Sequence, residues 1–206
     1  MLAALVAVFA MSALASASAS AALPEFVPTY KGGNKLTGSN GKVGFNLEQF
    51  GDVECSANSA TGSISGPKEI SNLVIKFSGC GGEGRSALLC GEKWETKPLT
   101  GTLGFLSKAN KEVGLLLKSA TGPVAECQTT YKQKILGSVI GSIIQLHAKT
   151  FRLTFETNGW KQQLTKFEGE ELTHTLEWEY PVKSTQDMAM GTTMELTTEK
   201  NFELEV

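Results

Sequence analysis

Apolar and polar residues alternate with a period of two along most of this chain, and that pattern limits what it can fold into. In "KTFRLTFET", Phe151, Leu153 and Phe155 fall on one side, with Arg152, Thr154 and Glu156 on the other. Successive side chains of a strand point to opposite faces, so this pattern predicts a strand with one face in a core and one in water. "ELTHTLEWEY" repeats it, with Leu172, His174, Leu176, Trp178 and Tyr180 set against Thr173, Thr175, Glu177 and Glu179. "NFELEV" does so through Phe202, Leu204 and Val206. The runs "KVGFNL", "NLVIKFSG", "GTLGFLS", "KEVGLLLKS", "VAECQTTYK" and "TMELTTE" have the same character. Helical periodicity is nearly absent.

Turn signals separate the runs: Gly32-Gly33-Asn34, Ser39-Asn40-Gly41, Gly66-Pro67, Lys108 to Lys111, Gly122-Pro123 and Asn158-Gly159. Glycine and asparagine tolerate the positive φ of tight hairpin turns. Strands at this short, regular spacing predict an all-β antiparallel barrel or sandwich of about ten to thirteen strands. "ILGSVIGSIIQLHAK" is too short for a membrane helix, which needs roughly 20 apolar residues, and reads as a buried strand pair.

The first residues, "MLAALVAVFAMSALASASASAA", form an apolar run followed by alternating Ser and Ala. That is the form of a cleaved signal peptide, although no Lys or Arg precedes Lys31. Cleavage is expected after Ala22, leaving residues 23–206 as a single all-β domain, secreted or at the cell surface. An oxidising compartment lets disulfides persist, and the four cysteines, Cys55, Cys80, Cys90 and Cys127, suit a stapled framework. Two connectivities are nearly equal: Cys80–Cys90 with Cys55–Cys127, slightly preferred, and Cys55–Cys80 with Cys90–Cys127.

Three passages carry a resemblance. "TGSISGPKEISNLVIKFSGC", "PLTGTLGFLSKANKEVGLLLKSATG" and "GSVIG", in this order and with these cysteines, resemble a group of uncharacterised secreted proteins of soil actinobacteria. The likeness runs from about Leu23 to Phe167. It implies export, a Gram-positive cell and a β-rich body, and it implies no activity and no functional residues.

The sequence offers little catalytic machinery. His147 and His174 are the only imidazoles, and His174 is expected on the inward face of a strand. "GSISG" and "GSVIG" place serine wrongly for a nucleophile elbow, and zinc, Walker and dinucleotide motifs are missing, so no cofactor or metal is expected. Only Asp52 and Asp187 are aspartates, against 19 glutamates, which disfavours a calcium loop. Glu177 and Glu179, next-but-one on a solvent-facing side, read as surface charges rather than the paired carboxyls of a glycosidase.

With 19 basic and 21 acidic residues, the chain has no general affinity for nucleic acid. The charge is uneven, however. From Glu168 onward there are ten acidic residues and two basic ones. Those strands either pair with basic strands from the rest of the chain or form an acidic surface that attracts basic partners. Trp160, Trp94 and Tyr131 are the candidate ligand contacts, because exposed aromatic faces anchor sugars or proteins. The expected function is a non-enzymatic extracellular binding or structural module for an unknown ligand. The alternatives are a carbohydrate-binding or carbohydrate-processing protein, or a lipocalin-like carrier with an apolar cavity.

Overall fold

The computed structural model describes residues 24–49, 51–81, 90–127, 132–180 and 184–206; the expected signal segment and Tyr131 lie outside them. Four long strands organise the described residues: β4 (Gly51–Gly66), β5 (Glu69–Gly81), β10 (Gln133–His147) and β15 (Ser184–Thr198). Shorter strands fill the spaces between them. Between β4 and β15 lie β2 (Asn34–Asn40) and β3 (Val43–Leu47). Between β15 and β10 lie β11 (Thr150–Phe155) and β14 (Leu176–Tyr180). Between β10 and β5 lie β8 (Glu112–Ser119) and β7 (Leu99–Ser107), with β9 (Ala125–Cys127) and β6 (Lys93–Glu95) further along the same strands. These twelve strands form one antiparallel sheet, and the β4–β5 pairing closes it on itself. The all-β fold expected from the alternation is therefore a closed barrel.

The registers divide the barrel into two tiers. One is a complete ring of ladders: β4, β2, β15, β11, β10, β8, β7, β5 and back to β4. The other runs β6, β5, β4, β3, β15, β14, β10, β9 and has a seam between β9 and β6. The seam is bridged by the Lys97 amide donating to the Val124 carbonyl at 2.8 Å and by the Cys90–Cys127 disulfide.

The second disulfide joins Cys55 to Cys80. The slightly preferred pairing of Cys80 with Cys90 is thus replaced by the sequential one. The cause is the long β4–β5 hairpin, in which Cys55 and Cys80 are direct register partners. "ILGSVIGSIIQLHAK" likewise contributes, as far as His147, to the single strand Gln133–His147 rather than to a strand pair. Its ladder with β14 ends at Gly137, whose φ of 91° lets it lie against the Thr175 carbonyl, where a Cβ would sit 2.0 Å from the oxygen.

Side chains fill the barrel interior. In the seamed tier Phe45, Phe77 and Trp94 pack together, with the Phe77 and Trp94 rings stacked at 4.1 Å, and Trp178 is fully buried nearby. A void of about 20 Å3 among Phe45, Trp94, Leu117 and Met188 holds no more than one water. At the far end of the complete ring, β1 (Glu25–Val27) pairs with β16 (Glu203–Glu205) as a separate ribbon. Phe26 and Phe202, beside Phe151 of β11, close that end with three mutually packed rings. The acidic C-terminal strands do meet basic strands, through Lys134–Glu179 and Arg152–Glu195. These pairs are exposed, and each contributes about 0–1 kcal/mol.

Outside the barrel, residues 164–175 form a strap across β7, β8 and β10. Gly104 and Gly114 are register partners, and Phe167 lies on the bare shelf they make, walled by Leu106, Leu116, Ile140 and Leu164. This explains the unbroken apolar run "GLLL" in β8, which is buried on both faces. The strap corrects one expectation: "ELTHTLEWEY" is strand only from Leu176, and Leu172 is 69% exposed. Among the described residues no helix is long and apolar enough to cross a membrane.

Candidate functional site

Where the strap ends, the outer face of β10 is uncovered. Outward-facing residues of this strand alternate as Ile140, Ser142 and Ile144; Ile140 lies beneath Phe167, whereas Ile144 is 58% exposed. An open groove of about 480 Å3 begins there. Ile144 is the exposed aliphatic side chain of its floor, and Val113 and Ile143, register partners on β8 and β10 whose side chains are buried in the core, run beneath it. Leu106 and Leu164 continue the strap's apolar cluster along one side, and Leu204 and Val206 form the other.

Hydrogen bonds hold that second wall in place. Gln145, near the end of β10, donates from Nε2 to the Phe202 carbonyl at 2.8 Å and accepts from the Leu204 amide at 2.6 Å. Lys111 donates to the Val206 carbonyl at 3.5 Å. Glu112 and Glu156 also line the groove, and neither forms an ion pair among the described residues.

Trp160 stands at the tip of a hairpin that adjoins the groove. Glu156 and Leu164, which flank its hairpin, both line the groove. The hairpin pairs β12 (Thr157–Asn158) with β13 (Lys161–Gln162) around Gly159 and Trp160. Gly159 takes φ +61°, the positive angle that a two-residue hairpin turn requires at its first central position. The buried Gln162 carboxamide fixes the base by donating to the Glu156 and Met190 carbonyls and accepting from the Met190 amide. Trp160 is consequently an exposed indole, 45% accessible, on a base pinned to β15.

The other sequence candidates are placed differently. Trp94 is half-buried, stacked on Phe77, with one side toward a separate groove of about 430 Å3 beside the Cys90–Cys127 bridge. Tyr131 lies outside the described residues. Trp178 is core, as its inward alternation predicts.

One cluster was not recognised in the sequence. His174 Nδ1 lies 2.9 Å from Ser138 Oγ, and its Nε2 lies 3.4 Å from a Glu170 carboxylate oxygen. The residue types match an acyl-transfer triad, but the backbone assigns them another task. The Ser138 amide, which in such sites stabilises the oxyanion, donates instead to the Thr175 carbonyl at 3.0 Å. The His174 amide donates to the Thr165 carbonyl, and Glu170 also accepts from the Phe167 amide. The Ser138–His174 hydrogen bond therefore latches the strap to β10, and Glu170 braces the strap from within. Glu168, exposed in the turn after Phe167, accepts from the Lys108 amide and adds a further tie. Among the described residues no group of three or more His, Cys, Asp or Glu side chains is placed to hold a metal ion.

Comparison with family models, with curated proteins and with solved structures returns no match, so the barrel, the strap and the groove are interpreted from their own geometry.

Proposed function

We propose that the protein is an extracellular binding module that engages its ligand on the outer groove beside Trp160 and acts without turnover. The observation that carries this reading is the contrast between the barrel's two surfaces. Among the described residues the interior is packed, with a void of about 20 Å3 in its aromatic tier, whereas ligand pockets usually measure about 300–1,000 Å3. The outside has a groove of about 480 Å3 in which Ile144 and Val206 stay exposed. Exposed apolar surface with a polar rim is characteristic of binding sites. The lipocalin-like alternative draws no support from a packed interior. A carbohydrate-binding alternative retains Trp160 as a stacking platform. The two disulfides accord with an oxidising location.

Arrays of peptides, glycans and lipids, probed with the wild type and with Ile144→Glu, test the proposal. It expects a ligand whose binding is lost in the variant while the melting temperature is unchanged. Hits insensitive to both Ile144→Glu and Trp160→Ala would overturn it, as would turnover of an ester, glycoside or peptide substrate.

A further inference from the structure

We infer that the groove takes a basic, partly apolar segment of a partner polypeptide, an inference that rests on the binding reading above and names its ligand class. The argument is charge complementarity over an apolar floor. Ile144 and Val206 offer exposed aliphatic surface, and Glu112 and Glu156 bring two carboxylates to the same groove. Neither carboxylate has an ion-pair partner among the described residues; Lys111 of the lining donates to the Val206 carbonyl and keeps its positive charge, so the lining presents two carboxylates against one ammonium. Glu203 and Glu205, which flank Leu204 on β16, are also exposed and add negative charge on the strand that forms one wall.

An extended peptide with alternating basic and aliphatic residues fits this arrangement. Its side chains point to opposite faces, so leucines reach the floor while lysines stay at the rim with the carboxylates. Trp160, exposed at the tip of the hairpin between Glu156 and Leu164 of the lining, presents an aromatic face over which a lysine or arginine is attracted. A neutral sugar would meet the apolar floor and the indole but give the carboxylates no opposite charge. An anionic lipid surface would be repelled.

The test uses the intact, disulfide-bonded protein and a fluorescein-labelled Lys-Leu-Lys-Leu-Lys-Leu peptide read by fluorescence anisotropy. The expected result is saturable binding that weakens at least tenfold in the Glu112→Gln/Glu156→Gln double variant and in Ile144→Ser. Raising the salt from low to high concentration weakens it as well, and a Glu-Leu counterpart does not bind. The variants alter exposed side chains, and an unchanged melting temperature verifies their fold. Failure of the Lys-Leu peptide to saturate would overturn the inference, as would equal binding by the double variant. If cellohexaose saturates the protein in an Ile144-dependent way while the peptide does not, the groove remains a binding site and only the ligand class is refuted. If no probe shows Ile144-dependent binding, both readings fall.

Discussion

Replacing Gly104 by alanine tests the strap directly, because the sign of the effect depends on Phe167. In the middle of a strand, glycine is normally worse than alanine by about 0.5–1 kcal/mol, so the substitution alone would stabilise an ordinary strand. Here a Cβ at residue 104 would lie 2.6 Å from Phe167 Cγ and Cδ2. Gly114, across the ladder, is held in the same way, with its Cβ position 3.0 Å from Phe167 Cε1. The ring is confined between Leu106, Leu116 and Ile140 and cannot slide aside without lifting the strap. Overpacking of this kind costs about 1–3 kcal/mol, so Gly104→Ala is expected to destabilise by about 2 kcal/mol. Phe167→Ala alone should cost about 3 kcal/mol, the lower end for a buried aromatic, because the ring sits in a satellite cluster. In the Phe167→Ala background, Gly104→Ala should become neutral or gain about 0.5 kcal/mol, a coupling well beyond the roughly 0.3–0.5 kcal/mol scatter of independent sites. Urea unfolding followed by tryptophan fluorescence, with unchanged m values, measures all four corners of the cycle. Additive costs, or a stabilised Gly104→Ala single variant, would refute the placement of Phe167.

Other expectations follow from the same geometry. Peptide mapping without reduction should find Cys55–Cys80 and Cys90–Cys127; for the second bridge, closing 37 residues, Cys90→Ser/Cys127→Ser should cost about 4 kcal/mol on chain-entropy grounds. Gln162→Leu strands the Met190 amide and carbonyl and should cost about 1–3 kcal/mol, measured by thermal unfolding. Trp160→Ala should change stability by less than about 0.5 kcal/mol yet remove most of the acrylamide-quenchable fluorescence, because Trp178 is fully buried and Trp94 half-buried.

What was legible in the sequence depended on whether a residue's environment is set by its own strand. Phe151, Leu153 and Phe155 are buried as their alternation predicts, and Trp178 and Leu176 point inward while Glu177 and Glu179 do not. The pattern misled at Leu172 and His174, because the alternation continues past the true start of β14 into the strap. There the anchoring of Phe167 on a glycine shelf outweighs local periodicity. β4 went largely unread, since "CSANSATGSISG" has small polar residues where strands usually carry bulky ones. Its ends nevertheless contained the disulfide pairing. Cys55 lies twelve residues before Pro67 and Cys80 thirteen after it, the symmetry of a hairpin turning at Pro67-Lys68. Trp160 was legible as a turn residue. The groove was not, because it forms where Val113, Ile144 and Val206 converge from distant parts of the chain.

The two tiers differ in how they are closed, and this sets where the barrel should open first. The complete ring has continuous ladders, whereas among the described residues the seamed tier relies at β6 and β9 on one backbone hydrogen bond, the Lys97–Glu126 ion pair and the Cys90–Cys127 bridge. An exposed ion pair contributes little, so the disulfide is the main constraint across the seam. β4, β5, β10 and β15 pass through both tiers, which ties the complete ring to the core under the seam. Removing the Cys90–Cys127 bridge should therefore loosen the seam without opening the ring. Hydrogen exchange is expected to accelerate at Lys93 to Lys97 and at Ala125 to Cys127 while amides of β8 and the second half of β10 keep their protection, since local openings need far less free energy than global unfolding. Uniform acceleration across both tiers would mean that the seam and the ring open as one cooperative unit, contrary to the division drawn from the registers.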